Sequence, residues 1–278
     1  MIVRSVACAL NVIPFNKHCF TLLGKQNDGK TSFLRFLCPT PLQDYIKENL
    51  DIHNKDGRIS LCQNLYINLD ELANFSKYDI NRTKAFFTID KVKERLPYDR
   101  KASNHLRRAS FLASTNSDEF LTDETGNVRW LVFEIEGIHH DNGGKYGYNR
   151  NVDINKVYSQ AYSLLRMGFD FKLSTEEIRK SEINNKNYQI TTVEQELIQS
   201  FFEPVQEKDE KASFMTSTDV LTRLENHTST KLNIKNVGRA LKLLGFEKTQ
   251  KRIDEVNGIK LLKPQPRKGY FVRCLFDL

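Results

Sequence analysis

The stretch Gly24-Lys25-Gln26-Asn27-Asp28-Gly29-Lys30-Thr31 constrains this chain more than any other. It fits the pattern Gly-x-x-x-x-Gly-Lys-[Ser/Thr] without a mismatch, and that spacing serves one physical task. Two glycines let the backbone curl so that its N–H groups point inward at phosphate oxygens. Lys30 adds a positive point charge for the β- and γ-phosphates, and the Thr31 hydroxyl can coordinate Mg²⁺. The flanks match the task. His18-Cys19-Phe20-Thr21-Leu22-Leu23 is an apolar run of strand length, and Ser32-Phe33-Leu34-Arg35-Phe36-Leu37 carries apolar residues at helical spacing before Pro39. Strand, glycine loop and helix in that order place a helix start in front of an anion. Gly24, Gly29, Lys30, Thr31 and Ser32 are therefore the candidate nucleotide-binding residues. An ordinary glycine-rich strand-to-helix turn is the plainer reading of the same string.

Alternating strand-like and helix-like stretches predict an α/β core with a largely parallel sheet. After the first strand, Arg58 to Asp70 reads as a second strand region, Ala109 to Asn116 as a third and Asn127 to Glu136 as a fourth, with a basic helical stretch from about Asn74 to Arg108 between the second and third. Val152 to Met167 reads as an amphipathic helix, Ser174 as a helix start and Thr192 to Phe202 as another helix. Residues 204–212 are charged and poor in apolar side chains, which predicts a linker between a domain over 1–203 and a small one over 213–278. In the latter, a helix over Ser217–Leu224, a helix capped by Asn233, and two strands around a basic loop resemble a winged helix. Lys235, Arg239 and Lys242 fall on one flank of its second helix, and Lys263, Arg267 and Lys268 fall in the wing.

The sites at the strand ends follow from the chemistry of a phosphate loop. Asp70-Glu71 closes an apolar strand, where one carboxylate can hold Mg²⁺ and the next can orient and deprotonate an attacking water. Asn116 ends the third strand, and a neutral amide there can position water without adding a repelling charge. Arg129 can aim a guanidinium at developing phosphoryl charge, in its own subunit or across a ring interface. Each has a plainer alternative, namely solvated acids, a turn residue and a surface ion pair.

Taken in order, Gly24…Gly29-Lys30-Thr31, Leu69-Asp70-Glu71-Leu72, Pro97-Tyr98-Asp99-Arg100, Ser114-Thr115-Asn116 and Asp123-Glu124-Thr125-Gly126-Asn127-Val128-Arg129-Trp130 resemble the virulence-associated E family. These are phage- and plasmid-type primase–helicase ATPases related to the superfamily 3 helicases. The resemblance spans about residues 18 to 170. It implies an AAA+-type P-loop ATPase core, often hexameric, using ATP and Mg²⁺ on DNA in the replication of a mobile element. It implies Lys30 and Thr31 on phosphate and Mg²⁺, Asp70 and Glu71 as the acid pair, Asn116 as sensor and Arg129 as finger. Family members tend to carry two adjacent arginines after Gly-Asn, and here Val128 stands in place of the first. Larger relatives carry primase or collar regions ahead of the ATPase, so a chain that begins this close to the loop reads as a fragment or a trimmed form.

Net charge is +7 and the pI is about 9.0. Such a balance suits a polyanionic partner. The interval 77–108 is rich in Lys and Arg, and Lys91, Lys93 and Arg95 are its candidate DNA contacts, in the place where superfamily 3 relatives hold a basic pore hairpin. Arg100, Arg107 and Arg108 could instead serve ATP or the subunit interface. A solvated helix face is the plainer reading of such a charge run. Five scattered cysteines without Cys-x-x-Cys spacing indicate neither a zinc site nor a disulfide framework, and a cytoplasmic setting fits. His139-His140-Asp141 reads as a solvated turn. No apolar run is long enough to span a bilayer. The sequence thus points to an ATP-hydrolysing DNA helicase or remodelling ATPase acting on single-stranded DNA as a homo-oligomer. The alternative is an ATP-gated DNA-binding initiator or regulator without motor activity.

Overall fold

The computed structural model describes all residues except 49, 53, 71, 73–76, 96–99, 122–126, 141–145, 257–258 and 277–278. Glu71 and parts of two of the motifs above, 97–99 and 123–126, thus lie outside the described residues, as does the side chain of Lys263. The chain forms two compact units, Met1–Ile190 and Thr191–Leu278.

The first unit is built on a five-stranded sheet of order β2-β3-β6-β1-β7: β1 (Cys19–Leu23), β2 (Ile46–Glu48), β3 (Tyr66–Leu69), β6 (Ser110–Thr115) and β7 (Trp130–Glu134). Every pairing in it is parallel. Both faces are covered, which is why these strands read as apolar runs rather than as alternating patterns. Leu23, Ile67, Leu69, Phe111, Ala113, Trp130 and Val132 pack into one core with Leu61 of α3 (Lys55–Gln63) and Ile80 of α4 (Lys77–Phe86). Leu22, Tyr66 and Leu112 point to the other side, where they meet Leu34 of α2 (Lys30–Phe36) and Tyr158 of α6 (Ile154–Arg166). The period of two along each strand sorts residues between these cores. α1 (Ile2–Ala9) packs on α6. α7 (Thr175–Lys186) begins with the Ser174–Glu177 capping box that its sequence predicts. α5 is a single turn, Tyr148–Asn151.

Two stretches depart from the sequence expectation. Arg58–Gln63 is helix, not strand: the Asn54 side chain accepts from the Gly57 N–H, and Gly57, Ser60 and Leu61 are buried on one side. The basic interval is not one helix either. α4 ends at Phe86, and β4 (Lys91–Glu94) pairs antiparallel with β5 (Ser103–Leu106). Alternation decides this, because Val92 is buried while Lys91 and Lys93 are exposed.

Arg107, which the sequence reading offers to ATP, a subunit interface or a solvated charged face, belongs to the core. It is 0% exposed. Its guanidinium donates to the carbonyls of Phe86, Phe87 and Ile89 at 3.0, 2.8 and 3.2 Å, and to those of Ala109 and Asn16 at 2.8 Å each. It thereby gathers carbonyls at and just beyond the end of α4, of which that of Phe86 also accepts from the Ile89 N–H at 3.4 Å. Burial pushes its pKa down to about 10, still high enough to keep it charged.

The second unit holds α8 (Val193–Phe201), β8 (Phe202–Pro204), β9 (Ser213–Met215), α9 (Ser217–Glu225), α10 (Ile234–Leu243), β10 (Lys248–Val256) and β11 (Ile259–Cys274). β11 pairs antiparallel with β10, β8 and β9. Val237, Ala240 and Leu241 form the buried stripe of α10 against Ile198, Phe202 and Val272. Packing therefore puts α8 and β8 with this unit, although the sequence reading assigned them to residues 1–203. Residues 204–212 connect β8 to β9 inside the unit, and Asp209 is held by Arg273 at 2.5 Å. The stretch read as a basic loop is strand, since Arg267 and Lys268 pair with Lys251 and Gln250. Pro264 and Pro266 suggested a break, but proline is tolerated on a strand edge, and β8 and β9 pair only with Tyr270–Cys274. Among the described residues no helix is long and apolar enough to cross a membrane.

Replacing Arg107 with Leu strands several buried carbonyls. The expected loss is about 3 kcal/mol or more, read by urea unfolding. His18, buried where the chain enters β1, is pushed down to about 3, first by burial and then by Arg4 and Lys17. The unfolded chain therefore binds a proton that the fold refuses, so this contribution to stability is present above about pH 6.5 and is lost as pH falls toward 3. The slope through this one group reaches about 1.4 kcal/mol per pH unit. A series of urea titrations from pH 7 to 4.5 should fall less steeply for His18→Leu than for the wild type.

Candidate functional site

Parallel pairing gathers the C-terminal strand ends on one side of the sheet, where loops and ligands meet in α/β proteins. Leu23 pairs with Thr115, and Leu69 with Ala113, so the glycine loop after β1, Asp70 after β3 and Asn116 after β6 emerge together. Because β6 lies between β1 and β3, Ser114 and Thr115 bridge the loop and the carboxylate. The Thr31 hydroxyl donates to Asp70 Oδ1 at 3.0 Å and lies 3.2 Å from Oδ2. The Ser114 hydroxyl donates to the same Oδ1.

The loop from Gly24 to Gly29 turns back into α2 through Gly29, which has φ +80°. A β-carbon at Gly29 would be strained and would lie 2.8 Å from Cδ2 of His140, and one at Gly24 would lie 2.8 Å from Cγ1 of Ile135. Packing thus favours glycine at both positions, and the left-handed turn adds a conformational requirement at Gly29. Lys30 is buried at 8% exposure, and its ammonium donates to the carbonyl of Gly24 at 2.8 Å and to that of Lys25. The ammonium is thereby stretched back across the loop. In front of it opens a cavity of about 380 Å³, lined by residues 26–32, Asp70, residues 114–116 and His140.

The structure brings Gly29, Lys30, Thr31, Ser32, Asp70 and Asn116 to this one cavity, with Gly24 at the base of its loop. Glu71 follows directly in the chain and lies outside the described residues. Arg129 is elsewhere. It ends a 3-10 turn, Asn127–Arg129, that enters β7, and Trp130 pairs with Cys19 at the start of β1. The length of β1 separates the two positions, about 16 Å at ~3.3 Å per residue. Arg129 is half-buried, and its Nε has no hydrogen-bond partner among the described residues. His140 went unrecognised in the sequence. It reads as part of a Gly/Asn-rich turn, and only the fold after β7 carries it to Gly29.

The candidate nucleic-acid residues lie on two separate exposed features. On the β4–β5 hairpin, Lys91, Lys93 and Arg95 share one exposed side of β4, and Arg100 and Lys101 are exposed near its tip. In the second unit Lys235, Arg239 and Lys242 are exposed on one face of α10, and Arg267 and Lys268 are exposed on β11. Arg108 is exposed and donates to the Ala9 carbonyl at 2.7 Å.

The family model for the virulence-associated protein E-like domain matches residues 6–190. The chain belongs to this family. The match ends where the first compact unit ends, so the family's defining region is the sheet and its flanking helices. No curated protein matches the chain. Among solved structures, the apo form of the NrS-1 C-terminal region (305–718) is similar at 11% identity, with 98% of this chain and 70% of that chain covered and a TM-score of 0.49. A structure described as SCCmec type IV Cch, active helicase, is similar at 12% identity, with 96% and 64% covered and a TM-score of 0.39.

Proposed function

We propose that this chain is an ATP-hydrolysing DNA helicase or remodelling ATPase of a replication protein, with an AAA+-type P-loop core and a winged-helix-like second unit. One observation carries the reading: Thr31 and Ser114 converge on the Asp70 carboxylate beside the buried Lys30 ammonium, at the mouth of a loop that turns through a left-handed glycine. Membership of the family supports it.

The residues present suit ATP and Mg²⁺. Inward N–H groups of a glycine loop and a lysine ammonium suit phosphate oxygens. A hydroxyl and a carboxylate 3.0 Å apart supply the hard oxygen donors that Mg²⁺ prefers. Lys30 would hold the terminal phosphates, Ser32 would add a hydroxyl on the same chain, and Thr31 with Asp70 would hold the metal. When bound, that metal would neutralise charge on the phosphates. Asn116 is exposed at the cavity rim, where it would orient a water, and Glu71 keeps the role of base.

The strand length between Arg129 and the loop argues against a finger acting within one subunit. In this reading Arg129 serves a neighbour's site, which calls for a homo-oligomer such as the hexameric ring of the resembled helicases. The β4–β5 hairpin departs from the chain between the acid pair and Asn116. A grip on single-stranded DNA through Lys91, Lys93 and Arg95 would therefore respond to what the cavity holds. The second reading, an ATP-gated DNA-binding initiator or regulator, is favoured by the exposed basic face of α10 with Arg267 and Lys268. The order α8, β9, α9, α10, β10, β11 resembles that of a winged helix, and phosphate contacts of this kind position a protein on duplex DNA.

Steady-state ATP hydrolysis with and without single-stranded DNA tests the main reading. DNA-stimulated turnover should vanish in Lys30→Ala and fall by roughly 10³–10⁵ in Arg129→Ala with ATP affinity retained. Mixing the two inactive variants should restore part of the activity, because interfaces pairing an intact Lys30 with a neighbour's intact Arg129 are rebuilt. No recovery on mixing would sink the finger in trans. A second comparison separates motor from regulator. Replacing Lys91, Lys93 and Arg95 with Ala should weaken single-stranded DNA binding and reduce its salt slope by about 0.7 per cation removed. If instead only Lys235, Arg239 and Lys242 matter, with a preferred duplex sequence, the regulator reading stands.

A further inference from the structure

The segment that follows β7 is fitted against the glycine loop at both of its glycines. Ile135 closes on Gly24 and the His140 ring closes on Gly29, each filling the space a β-carbon would need. The segment is pinned on either side of His140. The Ile135 N–H donates to the Leu23 carbonyl at 2.8 Å, the His140 N–H to the Ile138 carbonyl at 2.9 Å, and the Tyr148 N–H to the His139 carbonyl at 3.0 Å. Tyr148 then packs its ring against Phe33 and Phe36 of α2, with centroids 5.3 and 4.7 Å apart. A β-carbon at Gly147 would lie 2.6 Å from the His140 carbonyl oxygen, so that turn is packed tightly on the residue as well.

His140 is thereby laid with its Cδ2–Nε2 edge over Gly29, the Nε2 atom lying 3.5 Å from where that β-carbon would be. It lines the same cavity as Lys30, Thr31 and Asp70. The charged side chains of that lining are one lysine and two aspartates, Asp28 and Asp70. Side-chain charge alone therefore leaves the cavity short of positive groups for a polyphosphate. An imidazole is a hydrogen-bond donor that needs no counter-charge to be useful there.

We infer that His140 is a nucleotide-binding residue that donates from its imidazole to the phosphate chain held over Gly29. The inference rests on the nucleotide reading of this cavity and adds a contact from the strand β7 side, which the motif at residues 24–31 does not contain. Because Tyr148 ties the same segment to α2, the contact links the occupied loop to the chain leading into α6.

Equilibrium binding of ADP, pyrophosphate and adenosine, together with thermal unfolding, tests it on the wild type, Lys30→Ala, His140→Ala and His140→Gln. His140→Ala should weaken ADP and pyrophosphate alike by about tenfold, which is ~1.4 kcal/mol. It should leave adenosine binding and the melting temperature unchanged, and His140→Gln, which keeps a donor, should recover part of the loss. In the unaltered chain, saturating pyrophosphate should also slow carbethoxylation of His140 by diethylpyrocarbonate, a readout that does not depend on any variant folding. Wild-type affinity for pyrophosphate in His140→Ala, or absence of protection, overturns the inference while leaving the nucleotide reading standing. Loss of adenosine binding with pyrophosphate unaffected overturns it too, by moving the contact to the base. A folded wild type that binds neither ADP nor pyrophosphate overturns the nucleotide reading and this inference with it.

Discussion

Asp70 is the point on which the site is assembled. Its carboxylate accepts from a hydroxyl at the start of α2 and from a hydroxyl on β6, so one side chain ties together three segments distant in sequence. That tie is possible because β6 is threaded between β1 and β3, with all three strands running the same way. The sheet order thus does chemical as well as architectural work. It sets a polar strand end between a cation on one neighbour and an anion on the other. A parallel sheet with both faces covered provides the rigid floor, since its strands are buried on either side and cannot slip register without inverting every residue.

Much of this was legible in the chain itself. The glycine loop, β1, β6 and the helices from α6 to α10 follow from local patterns, because each has its own cap or stripe: Asp153 before α6, the Ser174–Glu177 box before α7, Thr216 before α9 and Asn233 before α10. What escaped depends on partners far away in sequence. β2 is only three residues long and exists because β3 lies beside it. Arg107 looks like one more surface cation until the end of α4 surrounds it with carbonyls. The helix over Arg58–Gln63 is short, and the apolar strand that follows it masks its period. The unit boundary was read from charge and proline, whereas it is set by the stripe of α10 on which α8 packs.

The candidate site divides along the same line. Gly24, Gly29, Lys30, Thr31 and Ser32 are consecutive or nearly so, and their meaning survives as a string of letters. Asp70 and Asn116 needed only the assumption of successive parallel strands. His140 carries no such signal, for its neighbours in sequence are those of a solvent-facing turn. Its role is set by Gly29 lacking a side chain and by Tyr148 anchoring the far side of the segment.

The placement of Arg129 at the sheet end opposite the glycine loop gives each subunit two unlike ends. One carries the cavity, and the other carries the guanidinium that, under the proposed finger in trans, would reach a neighbour's cavity. Two copies packed side by side and antiparallel about a two-fold axis would then each complete the other's cavity, and a head-to-tail contact would do the same. A head-to-tail, heterologous contact of that kind would repeat by a fixed rotation until it either closes on itself or runs on as a helix. Under that proposal, the direction of β7 within a single chain sets which end of one copy meets which end of the next.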